Sequence, residues 1–273
     1  MTDRQLTAAL AGSAAATAAE PSVHAVPASL GARPWRWVVH TGSLDLFADR
    51  SRQAVAADPT DRLTLISCGD ALHRARLALA ADGLAARVTL LPDADPDHVA
   101  TVTAPERIDI TDQARARYQA TERRQADHGA DHGLADHDAT ADARPPDTAV
   151  AALVAAAAEE GMRLSLLDRH QVIELATATS VTRRAQDRIR QDDATVYGVL
   201  DGDGDTPQAW LRAGEALSAV WIEASQRGLS IVPSTAVVEI PASRKVIRRL
   251  IPGLGTPYLA VRIGVSEPGP PKP

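Results

Sequence analysis

Gly69-Asp70-Ala71-Leu72, closed by Gly83-Leu84, recurs as Gly214-Glu215-Ala216-Leu217, closed by Gly228-Leu229. Both glycine pairs have the same separation, and the copies are offset by 145 residues. Between the glycines, the pairs Ala71/Ala216, Leu72/Leu217, Ala75/Val220 and Leu79/Ala224 are apolar in both copies. Spacings of three, four and seven place them on one buried helix face, and a glycine after the last turn is the usual C-terminal stop. Two such helices half a chain apart predict two related lobes, with any active site in a cleft between them. Ala-rich amphipathic helices also resemble one another by chance, which is the alternative.

Composition narrows the function classes. At 273 residues the chain can bury a substantial core, as one large domain or two small lobes. Hydrophobic residues make up 45 %, much of it alanine, while aromatics are only 3 %, so helices can pack closely. A net charge of −6 argues against a nucleic-acid partner, which needs a basic face. The cations are almost all arginine, with Lys245 and Lys272 the exceptions, so a single arginine is weak evidence for phosphate binding. The lone Cys68 excludes an internal disulfide and fits a reducing compartment. It stands beside Gly69, the expected start of the first repeated helix, and its counterpart in the second copy is Ala213, so it reads as a small buried residue. No apolar run approaches the ~18 residues of a membrane span. The Ala-rich N-terminus lacks a positive leader, because Asp3 offsets Arg4, and Asp3 to Ala19 reads as an amphipathic helix. These features predict a cytoplasmic protein.

Along the chain, Trp35 to His40 and Leu44 to Ala48 read as strands. The first repeated helix leads to a strand at Arg87 to Leu91, which Pro92 closes into an acidic loop. Ile110 to Arg124 reads as a helix. Ala126 to Pro146 is a low-complexity His/Asp tract, expected to be a mobile linker. Ala149 to Glu160 and Gln171 to Arg190 read as helices, and Met162 to Leu167 and Thr195 to Leu200 as strands. The second repeated helix is followed by a Pro-marked loop to Pro241, a basic helix from Arg244 to Leu250 and a strand from Tyr258 to Ile263. Helices and strands mix without regular βαβ alternation, which favours α+β over a doubly wound sheet. The expected division is a first lobe at 1–118, a helix end and linker at 119–148, a second lobe at 149–266 and a disordered tail at 267–273.

Two stretches imitate metal sites. His128, His132 and His137 alternate with Asp127, Asp131, Asp136 and Asp138, all possible ligands. A functional site needs fixed geometry, and low complexity with glycines argues against it, leaving adventitious binding. Asp201, Asp203 and Asp205 resemble the start of a calcium loop, but Thr206 and Arg212 stand where glycine and a bidentate glutamate are required. No metal ligands are expected. Phosphate-binding glycine loops, a nucleophile elbow and a zinc-protease helix are all absent.

Phe47-Ala48-Asp49-Arg50-Ser51-Arg52-Gln53, followed by Leu65-Ile66-Ser67-Cys68-Gly69-Asp70-Ala71-Leu72-His73, resembles the Acg-like branch of the nitroreductase superfamily. Pro21-Ser22-Val23-His24 and Pro34-Trp35-Arg36-Trp37 are similar to that branch's N-terminal loop. Trp210-Leu211-Arg212-Ala213-Gly214-Glu215-Ala216-Leu217 and Tyr258-Leu259-Ala260-Val261-Arg262-Ile263-Gly264 are similar to its second lobe. The likeness runs from about residue 5 to residue 264.

The resemblance implies a nitroreductase-like internal pseudo-dimer: two pseudo-symmetric α+β lobes in one chain, with FMN in the cleft between them. It implies electron transfer from NAD(P)H to a small oxidised acceptor, with the flavin carrying the chemistry and no catalytic acid or base to be named. By the same resemblance, Arg123 and Arg124 are phosphate ligands, and Ser22, His24, Arg33, Pro34 and Trp35 belong to the flavin loop. Ser234 approaches the ring, and Arg262 sits near the phosphate end. Trp35 and Trp37 can instead be core residues of their strand. The pattern also departs from the family's Pro-Ser-x-His-Asn-x-Gln-Pro-Trp loop. Ala25 to Arg33 fill the gap between His24 and Pro34, and the Asn and Gln are missing. The Arg pair runs into Gln125 and the His/Asp tract instead of the family's Thr-x-Arg-Arg-Pro-Phe. These departures favour a second reading, a non-catalytic or flavin-sequestering relative. No membrane partner is expected, and the chain is a monomer with an internal pseudo-dimer or a homodimer.

Overall fold

Both repeated segments are central helices in the computed structural model, which describes residues 3–18, 34–52, 60–129, 140–141, 143–180, 194–234, 238, 241–251 and 253–266. The first half runs α1 (Asp3–Ala18), β1 (Trp35–Val39), β2 (Ser43–Ala48), α2 (Arg62–Ala81), β3 (Leu84–Leu90), β4 (His98–Arg107) and α3 (Asp112–Gly129). The second runs β5 (Thr140–Ala141), α4 (Asp147–Glu159), β6 (Arg163–Leu167), α5 (Arg169–Ser180) and β7 (Val196–Gly202). It continues through α6 (Pro207–Gln226), β8 (Leu229–Ser234), α7 (Pro241–Leu250) and β9 (Thr256–Ser266). The α+β class is as expected. Both ends of α2, displaced by the repeat offset, fall on the ends of α6. Gly83 and Gly228 follow them with φ of 74° and 67°, a conformation that favours glycine and ends each helix.

Each half carries an antiparallel sheet. The first has the order β1-β2-β4-β3. In the second, β9 pairs with β7 and β8, and β6 pairs with β7, which gives β6-β7-β9-β8. The short β5 adds to the end of β9, Ala141 opposite Val265.

The two cores meet at the central helices. Leu44, Leu46, Val99, Ala100 and Val102 of the first sheet pack with Leu10 of α1 and with Leu65, Cys68, Leu72 and Leu79 of α2. In the second, Leu200, Leu259, Val261 and Ile263 pack with Leu153 of α4 and with Ala216, Leu217 and Val220 of α6. Ile66 of α2 belongs to the second core, whereas its offset partner Leu211 of α6 belongs to the first. The other face of the second sheet is covered by α5 and α7, through Leu175, Val199, Ile247 and Ala260.

The crossing of α2 and α6 depends on the repeated glycines. A Cβ on Gly69 would strike the Leu211 carbonyl, and a Cβ on Gly214 would strike the Ile66 carbonyl. Each glycine therefore faces the residue three positions before the other, a reciprocal contact. Every residue of α2 from Arg62 to Ala75 is buried. That explains why its polar members pair within the protein: Asp70 and Arg74, both fully buried, lie 2.9 Å apart, and the Ser67 hydroxyl donates to the Leu63 carbonyl at 2.9 Å.

Several expectations are corrected. The first repeated helix begins at Arg62, not at Gly69, because Gly69 is the crossing point and lies inside the helix. The acidic loop after Pro92 gives way to a strand, β4, whose Val99, Ala100, Val102 and Ala104 are buried. The Pro-marked loop before Pro241 begins as β8, since Pro233 sits on an edge strand that needs no second hydrogen-bonding partner. Of the stretch read as a linker, 126–129 continues α3 and Thr140–Ala141 pairs with β9. The tail at 267–273 lies outside the described residues. Among the described residues, no helix is long and apolar enough to cross a membrane.

Candidate functional site

A cleft of about 320 Å³ opens where β3, the edge strand of the first sheet, faces the N-terminal half of α6. Alternation along β3 turns Ala86, Val88 and Leu90 toward it. Gln208, Arg212 and Glu215 come from α6, and Arg76 reaches in from α2. The first turn of α6 is fixed by Thr206, whose hydroxyl accepts the Ala209 N–H at 3.3 Å, with Pro207 at the next position.

The inner end of the cleft is an ionic seam between the halves. One nitrogen of Arg76, Nη1, donates to Glu160 Oε2 at 2.8 Å and to Glu215 Oε1 at 2.7 Å. Burial pushes the Glu215 carboxyl up, and Arg76 offsets part of that cost. His73 Nε2 lies 3.6 Å from Glu160 Oε1. Burial outweighs this carboxylate and lowers His73 to about 4, so the imidazole is neutral at pH 7. Arg117 of α3 donates to Glu159 at 3.0 Å beside it. Arg212 differs from Arg76. It is exposed, it contributes to the field at Glu215, and it makes no ion pair or hydrogen bond with a described residue.

The residues expected to hold a cofactor are distributed more widely. Pro34 is buried, and its carbonyl accepts the Asp49 N–H at 2.8 Å and faces the Cys68 thiol at 3.9 Å. Trp35 is 4 % exposed and packs in the first core, with Trp37 half-buried against it, so both behave as core residues of β1. Arg123 and Arg124 lie on the last turns of α3, and Ser234 ends β8 opposite Ala260; their side chains are outside the described part. Arg262 is buried on β9 between Tyr197 and Val232, on the sheet face that carries Ala260 toward α5 and α7. Ser22, His24 and Arg33 lie outside the described residues. Sequence reasoning missed the cleft-lining residues. Arg212 and Glu215 were within a quoted motif, and the signal was Arg212 standing where the first copy has Ser67.

Other sequence candidates resolve into structural roles. Cys68 is fully buried and its thiol is pushed up by desolvation, which suits the packing role expected of it. The acidic turn is a clasp. Asp201 accepts from Arg163, from the Ser165 hydroxyl at 2.8 Å and from the Gly255 N–H at 3.0 Å, while Asp205 accepts from Trp210 Nε1 at 2.7 Å. Its carboxylates are thereby occupied by protein donors. Among the described residues, no group of His, Cys, Asp and Glu is placed to hold a metal. The side chains of the His/Asp tract lie outside them.

No family model matches the chain. A protein of Mycobacterium tuberculosis named "Putative NAD(P)H nitroreductase" is 28 % identical over 312 residues, covering 93 % of this chain and 85 % of that protein. Another from the same organism, "Putative NAD(P)H nitroreductase acg", is 27 % identical over 304 residues, covering 93 % and 89 %. A solved nitroreductase with bound FMN from Bacteroides fragilis aligns with a TM-score of 0.38 and 14 % identity, over 50 % of this chain and 85 % of that one. The resemblance read from the motifs is borne out: over nine-tenths of its length the chain is similar to proteins named as NAD(P)H nitroreductases, Acg among them.

Proposed function

We propose that this protein is an FMN-dependent oxidoreductase of nitroreductase type, passing electrons from NAD(P)H to a small oxidised acceptor. The observation that carries this reading is the similarity, along nearly the whole chain, to two proteins named as NAD(P)H nitroreductases. The reading includes two related halves in one chain. Support for that comes from the reciprocal glycine crossing, the coincident bounds of α2 and α6, and the shared strand order.

FMN requires cations or amides for its phosphate, an apolar or aromatic cover and polar donors for its ring. By residue type Arg123 and Arg124 suit the phosphate and Ser22, His24, Arg33 and Ser234 suit polar contacts, whereas Trp35 is packed in the first core and Arg262 is buried on the sheet face toward α5 and α7. When bound, the group supplies hydride acceptance and onward electron transfer. The residues of the chain bind it, orient it and restrict water around it. Pro34 is anchored through its carbonyl, which accepts the Asp49 N–H and faces the Cys68 thiol of α2.

The second reading, a flavin-sequestering or non-catalytic relative, draws on one specific feature. The flavin loop lacks the family's Asn and Gln and is lengthened by Ala25 to Arg33. Absorption spectroscopy of freshly purified protein, repeated after FMN addition and desalting, tests the proposal. A retained flavin band is the expected result, and a protein that stays colourless overturns it.

A further inference from the structure

We propose that His98 is a proton-operated latch. It fastens the acidic loop at 92–97 to the first sheet when its ring carries two protons and loosens it when the ring carries one. His98 opens β4 at the end of that loop and is buried. Its Nδ1 lies 2.8 Å from Asp93 Oδ2, and its Nε2 lies 3.1 Å from the Thr101 hydroxyl and 3.5 Å from Asp45 Oδ1. The ring stacks on Phe47 of β2, with centroids 4.5 Å apart, which restricts where the two nitrogens can point.

The partners decide how many ring protons the arrangement uses. The hydrogen bond with His98 holds the Asp93 carboxyl below the usual carboxylate range, and the Asp95 N–H adds to this, so Asp93 is ionised at neutral pH and can only accept. Thr101 has one hydroxyl proton and gives it to Asp45 Oδ1 at 2.8 Å, which leaves its oxygen to accept. Both ring nitrogens thus face acceptors, and the arrangement is complete only when both carry hydrogen. With one proton gone, either Nδ1 turns a lone pair on the Asp93 carboxylate, or the Thr101 hydroxyl rotates to Nε2 and abandons Asp45. Both outcomes remove the charge assistance that joins Asp93 to the ring. The other charged groups around it are His40, which pairs with Asp45 Oδ2 at 3.0 Å, and Arg36 of β1, 4.1 Å from the centre of the Phe47 ring.

The loop is placed to respond. Leu91 enters it at φ 49°, a left-handed conformation that persists only where surrounding contacts hold it. The far end is pinned by Arg50, which donates to the Pro96 carbonyl and pairs with Asp97 and with Asp61. Release of Asp93 therefore frees the near end, where β3 runs into the loop. The last residue of β3, Leu90, lines the cleft beside α6, so the latch controls the order of the cleft's edge.

The test is a pH titration by nuclear magnetic resonance between about pH 5 and about pH 9, reading the His98 ring nitrogens and amide exchange together. The ring should pass from two protons to one. Over the same interval the amides of Leu91 and His98, which donate to the Val99 and Asp95 carbonyls, should lose about 3- to 10-fold in protection beyond the intrinsic effect of pH. His98→Gln should give protection independent of pH. Asp93 is half-exposed, so Asp93→Asn should fold like the parent, and it should move the ring's midpoint to lower pH while abolishing the change in protection. A ring with one proton throughout, protection that ignores the ring's titration, or an Asp93→Asn variant that titrates like the parent would each overturn the latch. No flavin takes part in the measurement, so its outcome is separate from that of the oxidoreductase reading.

Discussion

At the residue scale, the seam around Arg76 has the most to lose. Two carboxylates from the second half, Glu160 and Glu215, converge on one guanidinium from the first, with side chains only 14 % and 9 % exposed. Arg76→Met strands both, and the expected cost is about 3 kcal/mol, the low end for a buried ion pair because Arg76 is itself a third exposed. Glu215 already has a raised pKa, and losing Arg76 raises it further. A carboxyl raised in the folded state gives stability below its unfolded pKa that is lost as pH rises. The variant's deficit, measured by urea unfolding, should therefore shrink as the pH is lowered from neutral toward the ordinary carboxylate range.

His73 works in the opposite direction. Its folded pKa of about 4 lies below the ordinary 6.5, so the unfolded chain takes up the proton first, and stability falls as pH drops from 6.5 toward 4. His73→Gln should flatten that part of the stability curve relative to the parent, whatever its effect at pH 7. An unchanged slope would show that His73 is not buried in neutral form. Neither role could be read from the sequence, because Arg76, His73 and Glu160 become neighbours only when α2, α4 and α6 pack. Cys68 could be read, since its counterpart in the repeat is alanine and small apolar equivalence already indicates packing.

At the element scale, the glycine crossing gives the sharpest expectation. Gly69→Ala forces a methyl against the Leu211 carbonyl, and backbone cannot move aside as a flexible side chain would. The expected loss is about 3 kcal/mol or more, with the same for Gly214→Ala. Once either substitution has separated the helices, the second has less to disrupt. The double variant should therefore fall well short of additivity in a denaturation cycle, and additive losses would mean that the two glycines do not share one contact.

The helices were legible because their period of 3.6 and glycine stops repeat at a fixed offset. Both missed strands were masked by their flanks. The alternation of buried Ala100, Val102 and Ala104 is interrupted by buried Val99 and preceded by three aspartates, Asp93, Asp95 and Asp97. In β8, Pro233 argues against a strand unless the strand is known to lie at an edge, which is a property of the sheet and not of the segment.

At the scale of the molecule, the two sheets lie on either side of the paired helices α2 and α6, so each half completes the core of the other through Ile66 and Leu211. The cleft and the Arg76 network lie along the seam between the halves. The α+β class could be read from the irregular mix of helices and strands, the central helices from the repeat, and the likeness to proteins named as nitroreductases from the motifs. The lining of the cleft could not, because it joins a strand of one half to a helix of the other. The proposed activity is electron transfer through bound flavin. Its most direct test is to load the protein with FMN, exclude oxygen, and follow the flavin absorbance on adding NADH or NADPH and then a nitroaromatic. Bleaching by the reduced nucleotide and recovery on adding the acceptor is the predicted result. A bound flavin that neither nucleotide reduces would contradict the account and favour a sequestering protein.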